Sequence, residues 1–253
     1  MIRDETIIHL GHSGTLIKMC GRTLIFDYAT WERERRPGQG IREGFIDPDE
    51  LRDEHVTVFV SHHHPDHFVP DIFHWREVCP SIRYVVSGDV QGVPEDVMTL
   101  ESDWRGSLGD LDVVTYPSTD IGLAYSVFIN GRHIYFCGDN AYWNWDDEAS
   151  EKEHREAVLG RIRRNGAVEI GFQVCDPRLD KWGAGGIYLF AEVIHPMVLV
   201  PVHSFGNYRF NRKVAETLKA LDYGGSFWPI SRRGAAWCID QSKETDEIIK
   251  VIL

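Results

Sequence analysis

With 253 residues, 43% of them hydrophobic and 11% aromatic, the chain can bury one sizeable core and is too apolar to stay disordered. Its 27 Lys and Arg against 39 Asp and Glu leave a formal charge of −12, which argues against a general binder of nucleic acid or of acidic membrane. No stretch approaches the roughly 18 consecutive apolar residues of a membrane helix, and the start Met1-Ile2-Arg3-Asp4-Glu5 lacks the plan of a secretory signal, so a soluble, cytoplasmic chain is expected. The five cysteines stand singly without a C-x-x-C, which fits a reducing compartment and suggests neither a disulfide framework nor a zinc knuckle.

Three short strands over 6–11, 15–19 and 23–27, punctuated by Gly11, Gly14 and Gly21, give an antiparallel start. Residues 30–50 have the charged, Gly- and Pro-bearing composition of a long loop, which reads as a functional rim or a flexible excursion. A β-branched run over 55–60 predicts a strand buried on both faces. A helix over 70–78 and strands over 82–87 and 112–117 follow. Asn130-Gly131 supplies the two positive-φ residues of a type I′ turn between strands 124–129 and 132–137. Residues 147–165, acidic first and basic later, predict a helix charged in the sense its dipole prefers. Beyond it come a strand over 168–175, a helix over 187–194, a strand over 197–202 and a helix over 211–221 with Val214, Leu218 and Leu221 on one stripe. Such a mixture suits sheets packed together inside with helices outside. No linker divides residues 1–253, so a single domain is expected.

The histidines are unevenly spread, and Ser61-His62-His63-His64-Pro65-Asp66-His67 contains H-x-H-x-D-H as His62, His64, Asp66 and His67. Imidazoles and a carboxylate are ligands that borderline divalent metals accept, and alternation places His62 and His64 on one side of a chain leaving a strand. An expression tag does not fit an internal run interrupted by Pro and Asp and preceded by a buried strand.

The motif resembles that of the metallo-β-lactamase superfamily, and further landmarks follow in order along nearly the whole chain. Ile25-Phe26-Asp27 resembles the family's opening, Tyr135-Phe136-Cys137-Gly138-Asp139 the strand whose terminal Asp bridges two metals, and Val200-Pro201-Val202-His203 the last ligand strand. Leu10-Gly11-His12-Ser13-Gly14 is more similar to the ascorbate-6-phosphate-lactonase-like branch than to the antibiotic-degrading one, while Ser118-Thr119-Asp120-x-Gly122 and Cys175-Asp176-Pro177-Arg178 resemble a bacterial subgroup. The resemblance implies a four-layer αββα sandwich of two mixed β-sheets with helices on the outer faces, and a dinuclear site on the rim where the sheets meet. Carried over by position, the first metal takes His62 and His64, the second takes Asp66, His67 and His203, and Asp139 bridges. Taken alone, Asp139 reads equally as a loop residue capping the segment from Asn140, and His203 as a core histidine.

The family supplies a further histidine to the first metal before the bridging Asp, and the matching stretch from Pro117 to Gly122 has none. Asp120 can substitute, or it merely begins a turn over a weak first site. Zinc is the first expectation for the two divalent ions, with manganese or iron favoured by a carboxylate at that position. A water shared between the ions would be deprotonated to a hydroxide near neutral pH, with Asp66 orienting it or taking its proton. His12 is a candidate proton donor or substrate contact, or a solvated loop histidine. Asp27 is a candidate partner for a ligating imidazole N–H. Ser118 and Thr119 can position water or substrate. Arg178 either holds a phosphate or carboxylate or pairs with Asp176. Tyr142, Trp143 and Trp145 are too aromatic for a bare solvent loop and can wall the pocket. His9, His63, His74, His133, His154 and His195 are left to surface or core.

The expected activity is a metal-dependent hydrolase acting on an ester, lactone or phosphodiester bond of a small anionic substrate. The alternatives are a mononuclear non-haem iron enzyme of the same fold acting on a sulfur or oxygen substrate, and a metal-stabilised module without catalysis. The expected partner is a small molecule; nucleic acid and membrane are not, and a homo-oligomer is open.

Overall fold

The structure, a computed structural model, describes residues 3–143, 152–239 and 249–251. The strands are β1 (Thr6–Gly11), β2 (Gly14–Met19), β3 (Arg22–Phe26), β4 (Val56–Val60), β5 (Ile82–Ser87), β6 (Met98–Leu100), β7 (Arg105–Leu108), β8 (Leu111–Pro117), β9 (Leu123–Ile129), β10 (Arg132–Phe136), β11 (Ile170–Val174), β12 (Val198–Val202), β13 (Ser226–Phe227), β14 (Ala236–Ile239) and β15 (Ile249–Val251). They form an eight-stranded sheet in the order β15-β14-β1-β2-β3-β4-β5-β6 and a seven-stranded sheet in the order β13-β12-β11-β10-β9-β8-β7. Both sheets are mixed. β1, β2 and β3 pair antiparallel, whereas β3, β4, β5 and β6 run parallel. In the second sheet β7 to β10 form an antiparallel meander and β10 to β13 run parallel. Together they make the two-sheet sandwich expected from the sequence.

Period-2 alternation decides which side chains go inside. On β3, Leu24 and Phe26 enter the core between the sheets, while Ile25 lies on the outer face with Leu16, Val58 and Val60. Phe26 stacks between Phe59 of the same sheet and Phe136 of the other, with ring centroids 4.8 and 4.7 Å away. Each such fully buried ring contributes roughly 1.5–3 kcal/mol. Because β4 is covered on both faces, its residues are all buried and apolar apart from Thr57, as the β-branched run predicts, and β3 is likewise apolar from Leu24 to Phe26.

The two outer layers differ. Against the second sheet lie the helices Gly160–Arg164 and Gly185–Ile194, and Val214 and Leu218 of the helix Tyr208–Ala220 join the same core. Against the first sheet lie 3₁₀ helices, Ile41–Glu43, Pro48–Leu51 and Pro70–Glu77. The expected helix over 70–78 is therefore a 3₁₀ helix. Pro70 fits its first turn, and Ile72 and Trp75, both buried, eclipse at the three-residue spacing that this tighter helix requires. Of the helix expected over 147–165, the part up to 151 lies outside the described residues. The rest is a π-helical turn, His154–Leu159, leading into Gly160–Arg164. The sequence reading passes over β6, β7, β13, β14 and β15, which are short and in β7 (Arg-Gly-Ser-Leu) lack an alternating pattern.

Candidate metal centre

The parallel strands deliver the chemistry. β3 and β4 are neighbours running the same way, and their C-terminal ends release Asp27 and the segment from Ser61 to His67. β10, β11 and β12 are parallel neighbours in the other sheet, and they release Asp139, Asp176 and His203. Two backbone hydrogen bonds stitch the rims together: His203 N–H donates to His12 O at 3.1 Å, and Leu123 N–H to Ser61 O at 2.9 Å. Glycine permits this closeness. A Cβ at Gly122 (φ +79°) would lie 2.1 Å from Ser61 O, and one at Gly138 (φ +54°) 2.8 Å from Ser61 Cβ. Non-glycine residues here also take left-handed backbone: His12 at φ 45°, Asp27 at 47° and His203 at 66°. Each costs about 1–3 kcal/mol, and such strain clusters at functional positions.

The imidazoles converge on Asp139. His67 Nε2 is 3.1 Å and His203 Nε2 3.3 Å from Asp139 Oδ1, while His62 Nε2 is 3.5 Å from Asp139 Oδ2. Each ring turns its other nitrogen to an oxygen. Ser61 Oγ donates its single proton to Asp27 Oδ2 at 2.5 Å and so accepts from His62 Nδ1, 2.9 Å away. His67 Nδ1 donates to Asp27 Oδ2 at 2.7 Å, and His203 Nδ1 lies 3.3 Å from Asp176 Oδ2. Asp27 thus accepts from an imidazole N–H, an arrangement of carboxylate and histidine that fixes tautomer and ring orientation. Donor atoms fall into groups lying within 4.8 Å of one another: His62, His64 and Asp139; His12, Asp66, His67 and His203; and Asp27, His62 and His67.

These donors fit a cation. Asp139 Oδ1 and the inward Nε2 atoms of His12, His67 and His203 are buried without a hydrogen-bond partner. Each such group costs about 1–3 kcal/mol unless something satisfies it. The charge pattern agrees. Burial opposes ionisation of Asp139, yet His67 and His203 hold its carboxyl well below the usual range. Burial likewise opposes charging His67, but Asp139 and Asp27 outweigh it and push its pKa well above 6.5. His203 is raised by Asp139 in the same way against its burial. Burial above all, then the neighbouring His67, lowers His62 to about 3, so that ring is neutral as a ligand must be. His12 is lowered to about 3, chiefly by burial.

The remaining expected residues divide. Asp66 is half-buried, with Oδ2 at 3.9 Å from both His67 Nε2 and His203 Nε2. Trp143 lies against the donors: its Nε1–H donates to Asp139 O at 3.2 Å and its ring meets His203 edge-on. Trp145 lies outside the described residues. Asp120 is exposed and belongs to none of the donor groups among the described residues, although desolvation and the charge of Asp139 raise its pKa. Thr119 is occupied by backbone, donating to Ala141 O and accepting Ala141 N–H, both at 2.8 Å. Ser118 Oγ accepts Asp120 N–H at 3.2 Å. Arg178 makes the clamp rather than a free anion fork, with Nε and Nη2 on Asp176 at 3.0 and 2.6 Å. His12 is not a solvated loop residue; it is 2% exposed. The sequence reading missed Ser61, whose place beside the motif was a usable signal. It also missed Glu32 and Phe205, which no spacing marks: Glu32 Oε1 is 3.9 Å from His12 Nδ1, and the Phe205 ring lies 4.4 Å from that of His12.

The sequence matches no protein-family model and pairs with no curated protein. Solved structures share the fold. Igni18, a metallo hydrolase from Ignicoccus hospitalis, is similar with a TM-score of 0.64 at 13% identity, over 91% of this chain and 96% of that one. The metallo-β-lactamase fold protein YhfI from Bacillus subtilis gives 0.58 at 14% identity, over 92% and 98%. CmlA, a diiron β-hydroxylase from Streptomyces venezuelae, gives 0.62 at 13% identity over 90% of this chain but 53% of its own length. The chain therefore has the metallo-β-lactamase fold, with a His/Asp cluster able to bind metal at its rim. Among the described residues no helix is long and apolar enough to cross a membrane.

Proposed function

We propose that the protein is a metal-dependent hydrolase that holds two divalent ions, one at His62, His64 and Asp139 and one at Asp66, His67 and His203, with Asp139 shared. Zinc is the first choice. Its substrate is a small anionic molecule carrying an ester, lactone or phosphodiester bond, as the resemblance of Leu10-Gly11-His12-Ser13-Gly14 to the ascorbate-6-phosphate-lactonase-like branch suggests. The observation that carries the reading is the convergence of His62, His67 and His203 on Asp139, each ring backed by an oxygen and several of the inner atoms lacking any hydrogen-bond partner. Divalent ions held there supply Lewis acidity toward a carbonyl or phosphoryl oxygen and lower the pKa of water to about 7. The chain's own residues do the rest. Asp66, kept ionised by His12 and His67 against its partial burial, faces the donors as an anion that can orient water beside them. Trp143 excludes water from the His203 side, and the partly exposed His64 marks the open side.

Metal analysis of protein purified without added metal, followed by assays with generic phosphodiester and lactone substrates, tests this. Two ions per chain and turnover of one substrate class are expected, and Asp139→Ala loses both. Full metal content and activity in His62→Ala and Asp139→Ala would sink the assignment. A second reading, non-haem iron acting on an oxygen or sulfur substrate, is favoured by one observation: the stretch around Asp120 offers a carboxylate near the site where an imidazole is expected, and oxygen donors suit iron or manganese. Iron retained through purification, with oxygen-dependent turnover, would select it.

A further inference from the structure

His12 sits on the tight turn between β1 and β2, in a different part of the chain from every other donor, and its place in the cluster is unlike that of a proton donor. Its ring is enclosed by Trp31, Phe205, His67 and His203, with centroids 5.5, 4.4, 5.4 and 4.2 Å away. Its Nε2 points inward, 3.1 Å from Asp66 Oδ2. A zinc ion with four or five donors at 2.0–2.1 Å places neighbouring donor atoms about 3–3.6 Å apart. The separations around this group fall at that scale: 3.1 Å for His12–Asp66, 3.1 and 3.3 Å from His67 and His203 to Asp139, and 3.9 Å from both rings to Asp66. Nδ1 of His12 faces Glu32 Oε1 at 3.9 Å, and Arg233 Nη2 donates to Glu32 Oε2 at 3.3 Å. His12 thereby faces a buttressed carboxylate on the same side as His67 faces Asp27 and His203 faces Asp176, at a longer separation than either.

We infer that His12 is a metal ligand that closes the site of Asp66, His67 and His203, leaving the position of His62 and His64 as the open one where water and substrate enter. Structural sites are saturated by protein donors, whereas catalytic ones keep a vacancy. With Asp139 shared, the first position has three protein donors, one of them the partly exposed His64, and the second has five, four of which lie within 4.8 Å of one another as one group. The proton-transfer role expected for His12 from the sequence is replaced by this one. Glu32, on the loop after β3, becomes a positioning residue for that ligand.

The inference rests on the metal-centre reading, and the experiment separates the two. Cadmium-113 is loaded into the wild-type protein carrying nitrogen-15 histidine, and imidazole nitrogens coupled to the metal are identified by NMR. Coupling to His12 together with His67 and His203 is expected. Bound cadmium coupled to those two but not to His12 overturns the inference while leaving the metal reading intact; absence of bound cadmium overturns both. Chelator competition on variants supplies a second readout. His12→Ala should weaken one ion by about 100-fold or more and spare the other, and Glu32→Gln should weaken the same ion by about 10-fold. Unchanged affinity for both ions in a folded His12→Ala protein overturns the inference.

Discussion

Two carboxylates, Asp27 on the rim of the first sheet and Asp176 on the rim of the second, stand in the same relation to a site histidine, but they are neutralised differently. Asp27 is 1% exposed, and its partners are the Ser61 N–H at 2.7 Å, the Ser61 hydroxyl at 2.5 Å and His67 Nδ1 at 2.7 Å. Asp176 is equally buried, yet beside His203 it carries the bidentate Arg178, whose side chain is 56% exposed and stacks 3.6 Å over Phe205. On the first rim a fixed hydrogen-bond cage holds the charge; on the second a solvent-facing cation does. A cage fails as a unit when one member changes, whereas a guanidinium and its surrounding water can readjust.

The largest expected effect follows at Asp27. Asp27→Asn replaces an acceptor of three hydrogen bonds with a group that can match only some of them, and it strips His67 of its anionic partner. Breaking such buried interactions costs about 3–5 kcal/mol, and metal affinity should fall 10- to 100-fold. Urea unfolding of chelated and loaded protein measures the two separately. An equal loss in Asp176→Asn would erase the contrast between the rims. Gly122→Ala comes next, because it presses on the Ser61 carbonyl that anchors the same cage and forces a left-handed residue with a Cβ 2.1 Å from that oxygen. A loss of about 2–3 kcal/mol is expected in the same unfolding assay. Asp176→Asn should cost about 1–2 kcal/mol and about 10-fold in metal affinity, read by chelator competition.

Protons probe the centre between the rims. In metal-free protein the pKa of His67 is raised, so its contribution is complete below 6.5 and is lost as pH rises through the folded value. Asp139 is depressed, so its contribution is complete above 3.8 and is lost as pH falls through its folded value. His9, His12 and His62, lowered to about 3 chiefly by burial, add stability that is complete above 6.5 and lost as pH falls below it, so chelated protein should be most stable near pH 6.5, losing stability in acid as those rings charge and on the alkaline side as His67 deprotonates. Metal-loaded protein should not weaken on the alkaline side, because ions displace the protons of His67 and His203 and bind more tightly as pH rises. Urea midpoints across pH with and without chelator check this, and identical profiles would remove the link between the buried pair and the metal.

The difference between the rims also explains what was legible in the sequence. The first rim announced itself because four donors lie within six consecutive positions, His62 to His67, directly after an apolar strand. Asp139 and His203 could be found only as strand-end residues, with a loop Asp and a core histidine as equal readings until the parallel order of β10, β11 and β12 put their ends side by side. Glu32 and Phe205 carry no pattern, since what recruits them is the three-dimensional approach of separate loops. The strands were legible where both faces are buried and invisible where they are short, as in β7. The outer layer on the first sheet was misjudged as a helix because apolar residues at 72, 73 and 75 satisfy a 3₁₀ turn as readily as an α-helical one.

Arg178 sets the lower end of the comparison. Its guanidinium gains from the pair with Asp176 and from the face of Phe205, but most of the side chain is in solvent, where screening reduces an ion pair to about 1 kcal/mol or less. Arg178→Lys keeps the charge and gives up the planar two-point contact, so stability should change by less than about 1 kcal/mol. Asp176 would then face His203 with a weaker counter-ion, and the carboxylate, now held less far below its ordinary 3.8 by its neighbour, would pull more strongly on His203 Nδ1. The ion bound through His203 should consequently change its chelator-competition affinity by only a few-fold, and the change should shrink as salt is added. A salt-independent loss as large as that of Asp27→Asn would mean that the guanidinium is part of a rigid cage as well, and the two rims would then be built alike.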